Sequence, residues 1–121
     1  MSILETILCT GINRGVSEYQ ATPGAVLLDV RSPLEYQRKR VPESKNLPME
    51  DLDQIAALVP DPTVPLFVYA YSPDTSVKAA RRLRDLGYAN TQPIGGIKNC
   101  CGNQGYQGPT EGEGWDVCPL R

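Results

Sequence analysis

Leu66-Phe67-Val68-Tyr69-Ala70, then Tyr71-Ser72-Pro73-Asp74, then Thr75 to Leu86: this stretch decides the fold. Five apolar residues bounded by Pro65 and by a turn-forming Ser-Pro-Asp read as a strand buried on both faces. The segment from Thr75 to Leu86 reads as a helix. Ala79, Ala80, Leu83 and Leu86 form its buried side, and Arg81 and Asp85 an exposed i, i+4 pair. Gly87 is its stop signal. A buried strand, a short turn and an amphipathic helix are consecutive parts of a βαβ unit.

The pattern occurs again upstream. After the turn at Pro23-Gly24, Ala25-Val26-Leu27-Leu28-Asp29-Val30 is a second short apolar run. Ser32-Pro33 then caps and starts a short helix through Leu34, Glu35 and Tyr36. Ile12, Val16 and Tyr19 mark one face of an earlier helix, with Thr10 as its N-cap. Leu47-Pro48 suggests a brief extended piece. Met49 to Leu58 suggests a helix with Leu52, Ile55, Ala56 and Val59 on one face, and Pro60, Pro62 and Pro65 enclose a loop. Thr91 to Ile94 is a short strand ending in Gly95-Gly96. The alternation predicts an α/β domain: a parallel sheet of four or five strands with helices on both faces. The runs at 25–30 and 66–70 should be neighbours in it.

The 121 residues suit a single domain over 1–121, with a core at about 10–98. Twelve Lys+Arg against 14 Asp+Glu give no overall attraction to nucleic acid or to an anionic membrane. No apolar stretch approaches the ~20 residues of a membrane span, and Ser2 to Gly11 lack the pattern of a signal peptide. A cytoplasmic location is therefore expected. There is no histidine. That excludes a Ser-His-Asp triad, a Cys-His dyad and any imidazole-ligated zinc, and no metal or cofactor is expected.

From Gly95 to Gly114 the composition changes, with seven of the eleven glycines in that span. Glycine is the residue most expensive to order, so the tail at 99–121 should be mostly loop, weakly ordered from about Gly102 to Gly114. Trp115 and Val117 are expected to dock back onto the body. Cys100, Cys101 and Cys118 also lie there and, with Cys9, should remain thiols in a reducing compartment.

Over residues ~10–98 the chain resembles the rhodanese-like domain family, a sulfurtransferase fold of three layers. Leu28-Asp29-Val30-Arg31-Ser32-Pro33-Leu34-Glu35-Tyr36 looks like its first signature. Arg40-Val41-Pro42-Glu43-Ser44-Lys45-Asn46-Leu47-Pro48 looks like its second, where a His-Ile-Pro-Gly stretch is usual. Val68-Tyr69 with the loop to Ser76 matches the catalytic segment, and Gly87-Tyr88 and Gly95-Gly96-Ile97 match the closing signatures. Five motifs in the right order carry the resemblance.

Active members carry Cys-x-x-Gly-x-Arg-Ser at the end of that strand. The thiolate is the nucleophile, glycine lets the backbone approach the transferred sulfur, and arginine binds the anionic donor. The loop can fold its N–H groups into an anion cradle at a helix N-terminus. By this resemblance the active-site loop is Ala70, Tyr71, Ser72, Pro73, Asp74, Thr75 and Ser76. Ala70 stands at the cysteine position, Pro73 at the glycine and Thr75 at the arginine; Ser76 alone remains. Pro73 removes an N–H, Thr75 a fixed charge, and Asp74 adds a negative one. The implication is a domain that has lost sulfurtransferase activity and serves as a binding or regulatory module for an unknown protein or a small anionic ligand. The alternative is an active enzyme using Cys100 or Cys101, since the Gly95-Gly96 strand should lie beside the Ala70 strand. Related phosphatases also need Cys and Arg in this loop, and neither is present.

Asp29, Arg31, Glu35, Gly95 and Gly96 are the remaining signature positions. Arg31 is expected to pair with Glu35 in a loop-fixing salt bridge. Arg38-Lys39-Arg40 and the Lys78, Arg81, Arg82 and Arg84 set read as solvated surface.

Overall fold

The structure, a computed structural model, describes residues 3–97. In chain order it contains α1 (Ile3–Ala21), β1 (Val26–Asp29), α2 (Pro33–Arg38), β2 (Lys45–Asn46), a 3-10 helix (Met49–Gln54) running into α3 (Ile55–Leu58), β3 (Leu66–Ala70), α4 (Pro73–Asp85) and β4 (Thr91–Gly96). The four strands form one parallel sheet in the order β2-β1-β3-β4. The two runs singled out in the sequence are neighbours, registered from Val26 opposite Leu66 to Asp29 opposite Tyr69.

Side chains of a strand alternate between faces, and β3, the most buried strand, feeds two cores. Leu66, Val68 and Ala70 join Leu28, Val30, Leu52, Ile55, Ala79 and Leu83 on the face covered by α3 and α4. Phe67 and Tyr69 join Ile12, Val16, Leu27, Val41 and Ile94 on the α1 face. A wholly apolar run is what such a strand requires, because neither face meets water. Edge strand β4 accommodates Pro93, which cannot donate to a ladder, and shifts register there. Val68 is opposite Pro93 but Tyr69 is opposite Gly95, whose φ of +111° suits glycine.

Several boundaries differ from the sequence reading. Thr10 lies inside α1, which begins at Ile3, so it is not an N-cap. α4 starts at Pro73 rather than Thr75, with Ser72 as cap; proline at the first helical position leaves no donor unsatisfied. The extended piece is Lys45–Asn46, two residues before Leu47-Pro48, because β1 pairs there. Residues 49–58 form a 3-10 turn and one α turn rather than a single helix. Leu52 and Ile55, three apart, both point inward, while Ala56 is exposed.

Helix α1 reaches the sheet through Gly15, where an added Cβ would lie 2.3 Å from the Ile94 Cβ. Gly15→Ala should gain up to ~1 kcal/mol of helix propensity but lose more by prising α1 off β4, since overpacking costs about 1–3 kcal/mol. The urea midpoint should fall. An unchanged or higher midpoint would show that α1 does not pack so closely.

Candidate functional site

In a parallel sheet the carboxyl ends of the strands share one edge, and helix N-termini stand above it. Here that edge is assembled by backbone bonds. Val30 N–H donates to Tyr69 O at 3.2 Å, and Ile97 N–H donates to Ala70 O at 2.9 Å. The chain therefore leaves β4 beside the end of β3. Gly96 is opposite Ala70, and an added Cβ there would come within 2.6 Å of Ser72 Cα and Tyr71 O. Only a glycine lets the loop after β3 lie directly on β4. Gly96 is thus a packing requirement of the candidate site, whereas Gly95 is suited to its place by its φ of +111°.

Only Tyr71 and Ser72 separate β3 from α4. Ala70 is fully buried in the α4-side core, whereas Tyr71, Pro73 and Asp74 are exposed. The loop's polar groups close on themselves. Ser72 Oγ accepts from Thr75 N–H at 3.4 Å and lies 3.0 Å from Thr75 Oγ1. Ser76 N–H donates to Ser72 O at 3.2 Å, and Ser76 Oγ donates to Pro73 O at 2.7 Å. Pro73 has no N–H to offer. The Thr75 and Ser76 N–H groups are thus taken by Ser72, and Asp74 occupies the first turn of α4, where a negative charge suits the dipole.

Beside this loop, a polar network holds the end of β1. Arg31 Nε donates to both Asp29 oxygens at 3.1 and 3.0 Å, and its NH2 to Oδ2 at 2.7 Å, with Asp29 fully buried. Arg31 also donates to Lys39 O, and Asn46 Nδ2 bridges Asp29 O and Arg31 O at 3.0 Å each. Burial works against the Arg31 charge, but hydrogen bonds and charge from Asp29 more than offset it and hold the guanidinium above its ordinary range. The expected loop-fixing bridge is present with a different partner. Glu35 closes a capping box with Ser32 instead.

Tyr69 was legible as core but not as a polar anchor. Its hydroxyl accepts from Val41 N–H at 3.0 Å and lies 3.2 Å from Ser44 Oγ. A tyrosine inside an apolar strand needs a partner for its hydroxyl, and that was the available signal. Tyr36 OH donates to Ser44 O, and Arg40 lies 4.7 Å over the Tyr36 ring, so the basic cluster is partly folded onto the body. Glu43 has a φ of 72°, left-handed backbone, at the position where the second signature usually has glycine. Tyr19 OH holds its carboxylate at 3.0 Å. Cys100, Cys101, Cys118, Trp115 and Val117 lie outside the described residues.

The rhodanese-like domain family matches residues 14–101. The chain is 33% identical over 73 residues to the thiosulfate sulfurtransferase PspE of Escherichia coli (strain K12), covering 60% of this chain and 70% of that protein. Among solved structures, a rhodanese with anions from E. coli superposes with a TM-score of 0.62 at 27% identity, covering 73% of this chain and 98% of that one. The Alr3790 protein from Anabaena sp. has the same fold, with a TM-score of 0.66 at 24% identity over 82% of this chain and 87% of that one.

Burial first, and then the Asp29 charge, raise the Tyr69 hydroxyl well above its ordinary value of 10.0. The folded protein keeps this proton where the unfolded chain loses it, so the stabilisation is complete below about pH 10 and declines as pH rises above it. Tyr69→Phe should cost about 1–3 kcal/mol at pH 7 by orphaning Val41 N–H. Its stability should fall less steeply than the parent's above about pH 10. Parallel profiles, read by urea unfolding at each pH, would contradict this.

Proposed function

The chain belongs to the rhodanese-like domain family, and from that premise we propose that it has lost sulfurtransferase activity and serves as a binding or regulatory module. The carrying observation is the end of β3. Ala70, at the family's cysteine position, offers no nucleophile and is packed into the core. Thr75 offers no fixed charge for an anionic donor. The first turn of α4 spends Thr75 and Ser76 N–H on Ser72. Each feature acts against holding a sulfur-bearing anion, and exposed Asp74 repels one.

What remains is a surface: exposed Tyr71, Pro73 and Asp74 on the carboxyl edge of the sheet. Its ligand class is a protein or a small anion, and the acidic Asp74 favours the protein. In this reading the domain works in the cytoplasm, without cofactor or metal, and away from nucleic acid and membrane.

One observation favours an active enzyme using Cys100 or Cys101. Ile97 N–H is bound to Ala70 O, so the chain departs toward those cysteines from the edge where sulfur transfer would occur. A thiosulfate and cyanide assay decides between the readings. Attack of a thiolate on the outer sulfur of thiosulfate releases sulfite and leaves a persulfide; cyanide then takes that sulfur as thiocyanate and restores the thiolate. The parent should form no thiocyanate above background. Ala70→Cys, Pro73→Gly and Thr75→Arg together should give turnover, increased further by Asp74→Ala. Parent activity that disappears with Cys100→Ser or Cys101→Ser would establish the relocated thiol instead.

A further inference from the structure

Among the helices of the described residues, α2 is the exception. α1 buries Ile12 and Val16, the 3-10 helix Leu52, α3 Ile55, and α4 Ser76, Ala79, Ala80 and Leu83. None of the six residues of α2 is buried, and its Leu34 is 62% exposed. A helix this short is not stable by itself, and in proteins most helical stability comes from packing an apolar face. α2 lays no buried face on the sheet.

Polar contacts hold it instead. Ser32 and Glu35 close the capping box at its start, where Glu35 N–H donates to Ser32 Oγ at 3.2 Å. Towards its end Tyr36 OH donates to Ser44 O, and Arg40 lies over the Tyr36 ring. Arg31, itself fixed by Asp29, donates to Lys39 O and so joins the two ends of the excursion. On either side the chain is locked into the sheet. Val30 N–H donates to Tyr69 O at 3.2 Å, Val41 N–H to Tyr69 OH at 3.0 Å and Leu47 N–H to Asp29 O at 2.9 Å.

We propose that residues 32–39 form a flap at the carboxyl edge, which opens and closes while the sheet stays folded. Opening takes no buried side chain out of the core. It breaks the turns of α2, the capping box and the Tyr36 contact, and the bonds of Val30, Val41 and Leu47 remain. Segments with few buried apolar contacts open well below the free energy of global unfolding, and binding elements are drawn from that low-stability end. The flap follows β1, the parallel neighbour of β3, so its two forms present different edges beside the loop after Ala70. The inference stands apart from the proposed function, because it uses none of residues 70–76.

Amide hydrogen exchange of the full chain, read by NMR, tests it. Tyr36 N–H, bonded to Ser32 O at 3.0 Å, and Lys39 N–H, bonded to Glu35 O at 3.1 Å, report on the flap. Val30 and Leu47 N–H report on the sheet at either side. The flap amides should be protected, but at least about tenfold less than Val30 and Leu47, and low urea should not change their rates. Ser32→Ala should speed flap exchange about fivefold through loss of the cap, with the urea midpoint unchanged. Flap amides as protected as Val30, or with its urea dependence, overturn the proposal by making α2 part of the cooperative core. Flap amides without protection overturn it too, because a segment that never closes is no flap. So does a Ser32→Ala protein that fails to fold or has a lowered urea midpoint.

Discussion

The carboxyl edge depends on the buried pair between Asp29 and Arg31. Asp29 ends β1 with no exposure, and a charge there is tolerable only because Arg31 meets both its oxygens and Asn46 holds the backbone around it. Removing one member of such a pair costs about 3–5 kcal/mol, because its partner stays buried and uncompensated. Against the 5–15 kcal/mol that stabilise an ordinary domain, that is a large share. The same guanidinium reaches Lys39 O, so the end of β1 also fixes the chain leaving α2. Tyr69 on β3 then anchors Val41 and Ser44, joining the loop before β2 to the centre of the sheet.

This scaffold is independent of the chemistry at Ala70. The polar network lies on the β1 side of β3, while the loop after β3 is set by Gly96 and the Ser72 cap. A chain can therefore exchange its loop residues and keep its sheet. Here α4 extends back to Pro73, and Ser72 accepts the Thr75 and Ser76 N–H groups of its first turn.

The sheet was legible because its signal is strong: two continuous apolar runs, each followed by a serine-proline helix start. The neighbouring arrangement of β1 and β3 followed from it, while that of β3 and β4 was what the family resemblance implied. The errors were local. Leu52, Ile55 and Ala56 satisfied a helical period equally well on paper, and only the 3-10 turn turned Ala56 outward. The sequence reading pairs Arg31 with Glu35 on the following turn, but Ser32 claims Glu35 for its capping box and Arg31 meets Asp29. The Tyr69 hydroxyl network joins residues 25 and more positions apart, which no periodicity encodes. Glu43 was visible as a departure from glycine, but its left-handed backbone and its bond to Tyr19 required coordinates.

We propose that this rhodanese-like chain takes up no sulfur from thiosulfate. The intact mass of the purified, reduced protein after incubation with thiosulfate tests it most directly. An unchanged mass, under conditions where Ala70→Cys with Pro73→Gly and Thr75→Arg gains one sulfur atom, is the predicted result. A parent protein that gains one sulfur atom, mapped by fragmentation to Cys100 or Cys101, would contradict it.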